Sequence, residues 1–174
     1  MVNHNLPIIA IVGGPNVGKS TLLNKIARER LAVTSDLPGT TRDRQYLDTS
    51  FNGVNFTLID TAGLSFERGG ELENNIQKQL EVAISEADAI ILVVDGKQPV
   101  QNLEQKALLK FRKIKKPTVL AVNKVDSPKN REQQIEEFKK LGIKPLFPIS
   151  SVTGSGVGDL LEYIAELVAT PENL

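Results

Sequence analysis

Residues 7–21 read "PIIAIVGGPNVGKST". A run of aliphatic, mostly β-branched residues predicts a buried strand. It ends in Gly13-x-x-x-x-Gly18-Lys19-Ser20, and a helical stretch follows. Strand, glycine loop and helix in that order are the setting of a phosphate-binding loop. The glycines let backbone N–H groups wrap an anion, and the helix N-terminus adds positive potential. Lys19 is placed to reach the β- and γ-phosphates of a nucleoside triphosphate, and Ser20 to offer its hydroxyl to Mg²⁺. Gly13, Pro15, Asn16, Val17, Gly18, Lys19, Ser20 and Thr21 are therefore candidate nucleotide contacts. A plain glycine turn explains the glycines but not the Lys-Ser that follows them.

Outward from this loop, apolar runs alternate with helical patterns, which predicts an α/β fold with a mostly parallel sheet. Strands are expected at 7–13, 45–51, 54–60, 89–95, 117–123 and 145–150. Asn52-Gly53 separates the second from the third and favours a two-residue turn, so these two should form an antiparallel hairpin. Helical stripes follow Val157, Leu160, Leu161, Ile164 and Val168; Ile76, Leu80, Ala83, Ile84 and Ala87; and Leu103, Ala107, Leu108, Phe111 and Ile114. A shorter one follows Ile135, Phe138 and Leu141. With the helix opened by the phosphate loop, these make five helices around six strands, and the stripes are core-facing.

The chain has 174 residues, 40% hydrophobic and 24% charged, enough for one domain with a proper core. Lys plus Arg and Asp plus Glu are 21 each, so no global charge draws the chain to nucleic acid or membrane. It contains no cysteine and therefore no disulfide or thiolate metal site. The one histidine, His4, falls in a ragged start. No apolar run reaches the ~20 residues of a membrane span and no signal-peptide pattern opens the chain, so a cytoplasmic protein is the default expectation. The run "FRKIKKP" (111–117) holds four basic residues and reads as a solvated helix end, with RNA phosphate contact as the functional alternative. Residues 1–169 are expected to form the domain, and 170–174, opened by Thr170-Pro171, to begin a linker.

Four further stretches fall at predicted strand ends or in adjacent loops, the edge at which open α/β sheets bind ligands. In "DLPGTTRD" (36–43), Thr40 and Thr41 are both spaced to close over Mg²⁺ and sense the γ-phosphate. In "DTAG" (60–63), Asp60 is a candidate for Mg²⁺ and the Gly63 N–H for the γ-phosphate. In "NKVD" (123–126), the Asp126 carboxylate can accept from guanine N1–H and the 2-amino group. Adenine lacks both donors, which argues against an ATPase. Asn123 is expected to brace the loops, and the Lys124 stem to stack on the base. In "SSV" (150–152), a backbone N–H of Ser150, Ser151 or Val152 is expected to meet the guanine O6.

Together these stretches resemble a Ras-like GTPase fold. The wording of "GGPNVGKSTLLN", "SDLPGTTRDRQY", "EADAIILVVDG", "VNKVD" and "GVGDLLE" is similar to the first G domain of the Der (EngA) family of bacterial ribosome-assembly GTPases. Era and MnmE G domains are close relatives. The resemblance runs from Ile8 to about Val168. The sequence departs from the family at Gly14, where arginine is usual, at Ala62, where glycine is frequent, and at Ser151, where alanine is frequent. The resemblance assigns the metal-sensing role to Thr41. It implies GTP as substrate, GDP as product, Mg²⁺, K⁺ held through Asn16, and action on the large ribosomal subunit or its rRNA through a longer multidomain protein. Contacts with further C-terminal domains follow from the same pattern.

One expected part is missing. After Gly63, where Ras-type proteins carry a water-orienting glutamine, stands Leu64. Arg42 and Arg44 are expected to point away from the phosphates. The charge would then fall to Asn16 and K⁺, with water held by the Thr41 carbonyl and Gly63 N–H. Asn16 has a plainer reading as a residue that suits the loop's backbone. Two further readings are the G domain of a tRNA-modification GTPase and a non-hydrolysing GTP-sensing module.

Overall fold

The computed structural model describes residues 6–29, 46–61, 76–100 and 105–174. Six strands form one sheet: β1 (Ile8–Val12), β2 (Tyr46–Phe51), β3 (Val54–Asp60), β4 (Ala89–Asp95), β5 (Thr118–Asn123) and β6 (Leu146–Pro148). Their order across the sheet is β2-β3-β1-β4-β5-β6. Only the β2–β3 pair is antiparallel. Its turn places Asn52 at φ 50° and Gly53 at φ 81°, the two left-handed residues that a tight hairpin of this hand requires. The five helices of the described residues are α1 (Lys19–Glu29), α2 (Ile76–Glu86), α3 (Gln105–Arg112), α4 (Arg131–Lys139) and α5 (Val157–Val168). Every strand and helix expected from the pattern is present. The last strand is shorter than its apolar run.

The central strands are covered on both faces, so they read as unbroken apolar runs rather than alternating ones. Side chains nonetheless alternate across the sheet. Ile9, Ile11, Ile91, Val93, Val119 and Ala121 point to one side and meet Leu22 and Ile26 of α1 and Leu160, Leu161 and Ile164 of α5. Ala10, Val12, Ile90, Leu92, Leu120 and Val122 point to the other and meet Leu80 of α2, Leu108 and Phe111 of α3, and Ile135 and Phe138 of α4. At the β2 edge, a polar pair is buried: the Thr57 hydroxyl donates to Asp48 at 2.5 Å across the ladder.

Two surface expectations can be placed. In the basic run, the Arg112 guanidinium donates to the Leu141 carbonyl and Lys116 to the Ile84 carbonyl. Those two residues tie α3 and its exit loop to neighbouring elements, while Lys113 and Lys115 stay exposed. The stretch expected to open a linker makes a 3-10 turn, Pro171–Asn173, on the body of the domain. Asn173 is buried, and its amide donates to Asn55 O at 3.0 Å and Val168 O at 3.2 Å. No helix of the described residues is long and apolar enough to cross a membrane.

Phe111 is among the largest fully buried side chains. Phe111→Ala is expected to destabilise the fold by about 3–5 kcal/mol, read as a lower urea midpoint with the slope of the transition kept.

Candidate nucleotide-binding site

The loop after β1, the end of β3 and the turns after β4, β5 and β6 meet at one edge of the sheet, because parallel strands end on the same side. Gly13 through Gly18 connects β1 to α1 with Gly13, Gly14 and Val17 buried and Pro15 and Asn16 exposed. The loop needs two left-handed residues: Asn16 at φ 63° and Gly18 at φ 98°. Asparagine tolerates that region better than other L-residues, which gives Asn16 a backbone reason to be there. At Gly18 a side chain is excluded twice over, since a Cβ would overlap the Asn123 amide nitrogen. A Cβ at Gly13 would lie 2.7 Å from Val93 O.

Lys19 is buried, unusual for an ammonium. Its Nζ donates to Gly13 O at 2.6 Å and to Gln79 Oε1 at 3.1 Å. Ser20 and Thr21 are exposed in the first turn of α1. Asp60 ends β3, in register with Ile11 of β1, and so stands one strand from the phosphate loop. Next to it Thr61 donates to Ile11 O at 2.8 Å.

Asn123 ties the site together. Its side chain is buried at the end of β5. Its Nδ2 donates to Val17 O at 2.8 Å, and its Oδ1 accepts from both the N–H and the hydroxyl of Ser151 at 3.0 Å. The bracing expected of Asn123 is thus a direct link between the phosphate loop and the 150–152 turn. Lys124 is left-handed, φ 67°, and is held from three directions. Its Nζ donates to Asn16 O at 2.7 Å and to Asp95 at 2.9 Å, while its carbonyl accepts from Gln134 at 3.2 Å.

Asp126 is half exposed, with one oxygen accepting from Ser150 Oγ at 2.7 Å and the other paired with Lys97 Nζ at 3.0 Å. The Ser150 hydrogen bond first, and Lys97 second, hold its carboxyl below the usual aspartate range, against a small opposing effect of burial. It is therefore ionised, and acceptor-only, across the neutral and mildly acidic range. An open cleft of about 560 Å³ borders Lys124 and Asp126, lined also by Gly96, Lys97, Ser127 and Asn130. In the 150–152 turn, the Ser150 N–H donates to Ser155 O and the Ser151 N–H to Asn123. Val152 is 74% exposed.

Thr40, Thr41, Arg42, Arg44, Gly63, Leu64 and His4 lie outside the described residues. Three participants escaped the sequence reading: Gln79, Thr61 and Lys97. Gln79 carried a signal. It lies three residues after Ile76 and four before Ala83, a polar side chain inside an apolar stripe.

A six-stranded mixed sheet with the phosphate loop after β1, an acidic residue at the end of β3 and an Asn-Lys-x-Asp turn after β5 defines a P-loop GTPase domain. A family model described as "50S ribosome-binding GTPase" matches residues 8–124, and the chain belongs to that family. It is 46% identical over 159 residues to the GTPase Der of Lactobacillus acidophilus, an alignment covering 91% of this chain and 36% of that protein. With the GTPase Der of Fusobacterium nucleatum it shares 43% over 162 residues, covering 93% and 37%. The chain thus spans little more than a third of these relatives' length, as expected for a single G domain. Among solved structures, the G domain of the T. maritima FeoB iron transporter aligns with a TM-score of 0.62 and 31% identity, over 94% of this chain and 99% of that one.

Ser150→Ala removes the hydroxyl that donates to Asp126 at 2.7 Å. The Asp126 carboxyl should then titrate higher, toward the ordinary aspartate value of about 3.9, in a carbon-detected NMR titration. Because the folded pKa is depressed, the ionised group stabilises the fold above the unfolded value. That contribution is lost as pH falls through the folded one, so the variant should lose it at a higher pH than the wild type.

Proposed function

We propose that the chain binds GTP with Mg²⁺ and hydrolyses it to GDP and phosphate as a molecular switch. The observation that carries this reading is the Asn123 bridge, which sets a buried lysine and an ionised aspartate around one sheet edge. Lys19 donates to the β- and γ-phosphates, and N–H groups of the loop wrap them. Asp126 accepts from guanine N1–H and the 2-amino group. To take both, guanine displaces the Lys97 ammonium from its oxygen.

Ser20, an exposed hydroxyl, and Asp60, a carboxylate, are hard oxygen donors of the kind Mg²⁺ takes, and Thr41 is proposed as a third. Bound there, Mg²⁺ supplies charge neutralisation on the phosphates. In the attack of water on the γ-phosphorus, the bond to the β–γ bridging oxygen breaks and that oxygen leaves with GDP. We assign the orientation of the water to the Thr41 carbonyl and the Gly63 N–H, with Leu64 turned away. Asn16 is proposed as a K⁺ ligand through its side-chain amide oxygen.

Action in large-subunit assembly is proposed for the whole protein. Its support is the family's description as ribosome-binding and the similarity to GTPase Der.

Two experiments address the site. Asp126→Asn is expected to shift preference from GTP toward XTP in competition binding, since xanthine replaces the 2-amino donor with a carbonyl; an unchanged preference defeats the base assignment. Phosphate release should be faster in KCl than in NaCl at equal ionic strength. Asn16→Gly keeps the left-handed backbone while removing the amide, and should abolish that difference. Multiple-turnover release indistinguishable from buffer in either salt favours a GTP-sensing module without hydrolysis.

A further inference from the structure

Helix α2 carries Gln79, fully buried on its apolar side. Its Oε1 meets three donors: the Gly13 N–H at 3.0 Å, the Lys19 ammonium at 3.1 Å and the Thr61 hydroxyl at 3.0 Å. The single Thr61 proton is shared with Ile11 O. These donors come from the end of β1, the first turn of α1 and the end of β3, so one amide oxygen from a fourth element joins three segments at the phosphate loop. With donors on every side, the atom facing them must be the oxygen and not the amide nitrogen.

We propose that Gln79 is a positioning residue, which aims the Lys19 ammonium at the phosphates and couples the placement of α2 to the phosphate site. The chemistry favours an amide. A neutral acceptor orients an ammonium without cancelling its charge. A carboxylate in the same place forms an ion pair that the phosphates must displace. An apolar side chain takes this acceptor away from the lysine. The inference rests on the guanine-nucleotide reading and adds a residue that motif spacing does not contain.

The test compares Gln79→Glu and Gln79→Met in the 174-residue chain, measuring the nucleotide-free thermal midpoint, the affinity for fluorescent GDP and GTP, and single-turnover hydrolysis. Gln79→Glu keeps shape and acceptor oxygens. It is expected to hold the wild-type midpoint while losing about tenfold or more in affinity for both nucleotides. Gln79→Met is expected to slow single-turnover hydrolysis at saturating GTP by about tenfold, with GDP affinity changed by no more than about threefold. A merely structural glutamine gives the opposite order: Gln79→Glu rescues, matching wild type in affinity and rate, while Gln79→Met only lowers the midpoint. That result, or loss of the fold in both variants, overturns the assignment. If wild type itself binds no guanine nucleotide, the nucleotide reading falls first and this one with it.

Discussion

The carboxamide of Asn123 is the constraint on which the site depends. Lys19 and Asp126 belong to different turns, and the sheet alone fixes only where each strand ends. Asn123 supplies a donor to Val17 O and an acceptor to Ser151, while its own carbonyl accepts from the Gly96 N–H. Few side chains offer donor and acceptor at that reach. An aspartate would set an anion against the Val17 carbonyl, and an alanine would leave buried groups on both loops without partners, at about 1–3 kcal/mol each. The close fit extends to Gly18, whose missing Cβ is the space the Asn123 amide occupies.

The two ends of the site differ in exposure. At the base end, Lys124 pairs with Asp95 and Lys97 with Asp126. These pairs are partly or largely exposed, where ion pairs exchange easily with a polar ligand. At the other end, Lys19 is buried and donates to the oxygens of Gly13 and Gln79. A formal net charge of zero conceals this arrangement, because it sets where cations and anions stand and not how many there are.

Much of the fold was legible because its causes are local. A buried parallel strand must be apolar throughout, so "AIILVVD" and "TVLAVN" declare themselves. Asn52-Gly53 fixes a hairpin through the backbone freedom of two residues. The phosphate loop is legible for the same reason. What stayed hidden depends on partners far along the chain. Gln79 acquires meaning only when α2 is laid beside β1 and β3. The sequence placed three candidate N–H groups at Ser150, Ser151 and Val152, but not the inward bonds that occupy the first two. Thr170-Pro171 signalled a helix end correctly and gave no hint that Asn173 folds back onto β3.

The alternation of side chains along each central strand has a mechanical consequence. It divides the apolar interior into two compartments, α1 and α5 on one side, α2, α3 and α4 on the other, with the sheet as a stiff partition. Polar groups from both sides touch at the sheet's rim. The phosphate loop sits on that rim, with Lys19 from one compartment and Gln79 from the other. The domain is built like a clutch, two plates meeting at the lip where that ammonium and that amide oxygen touch.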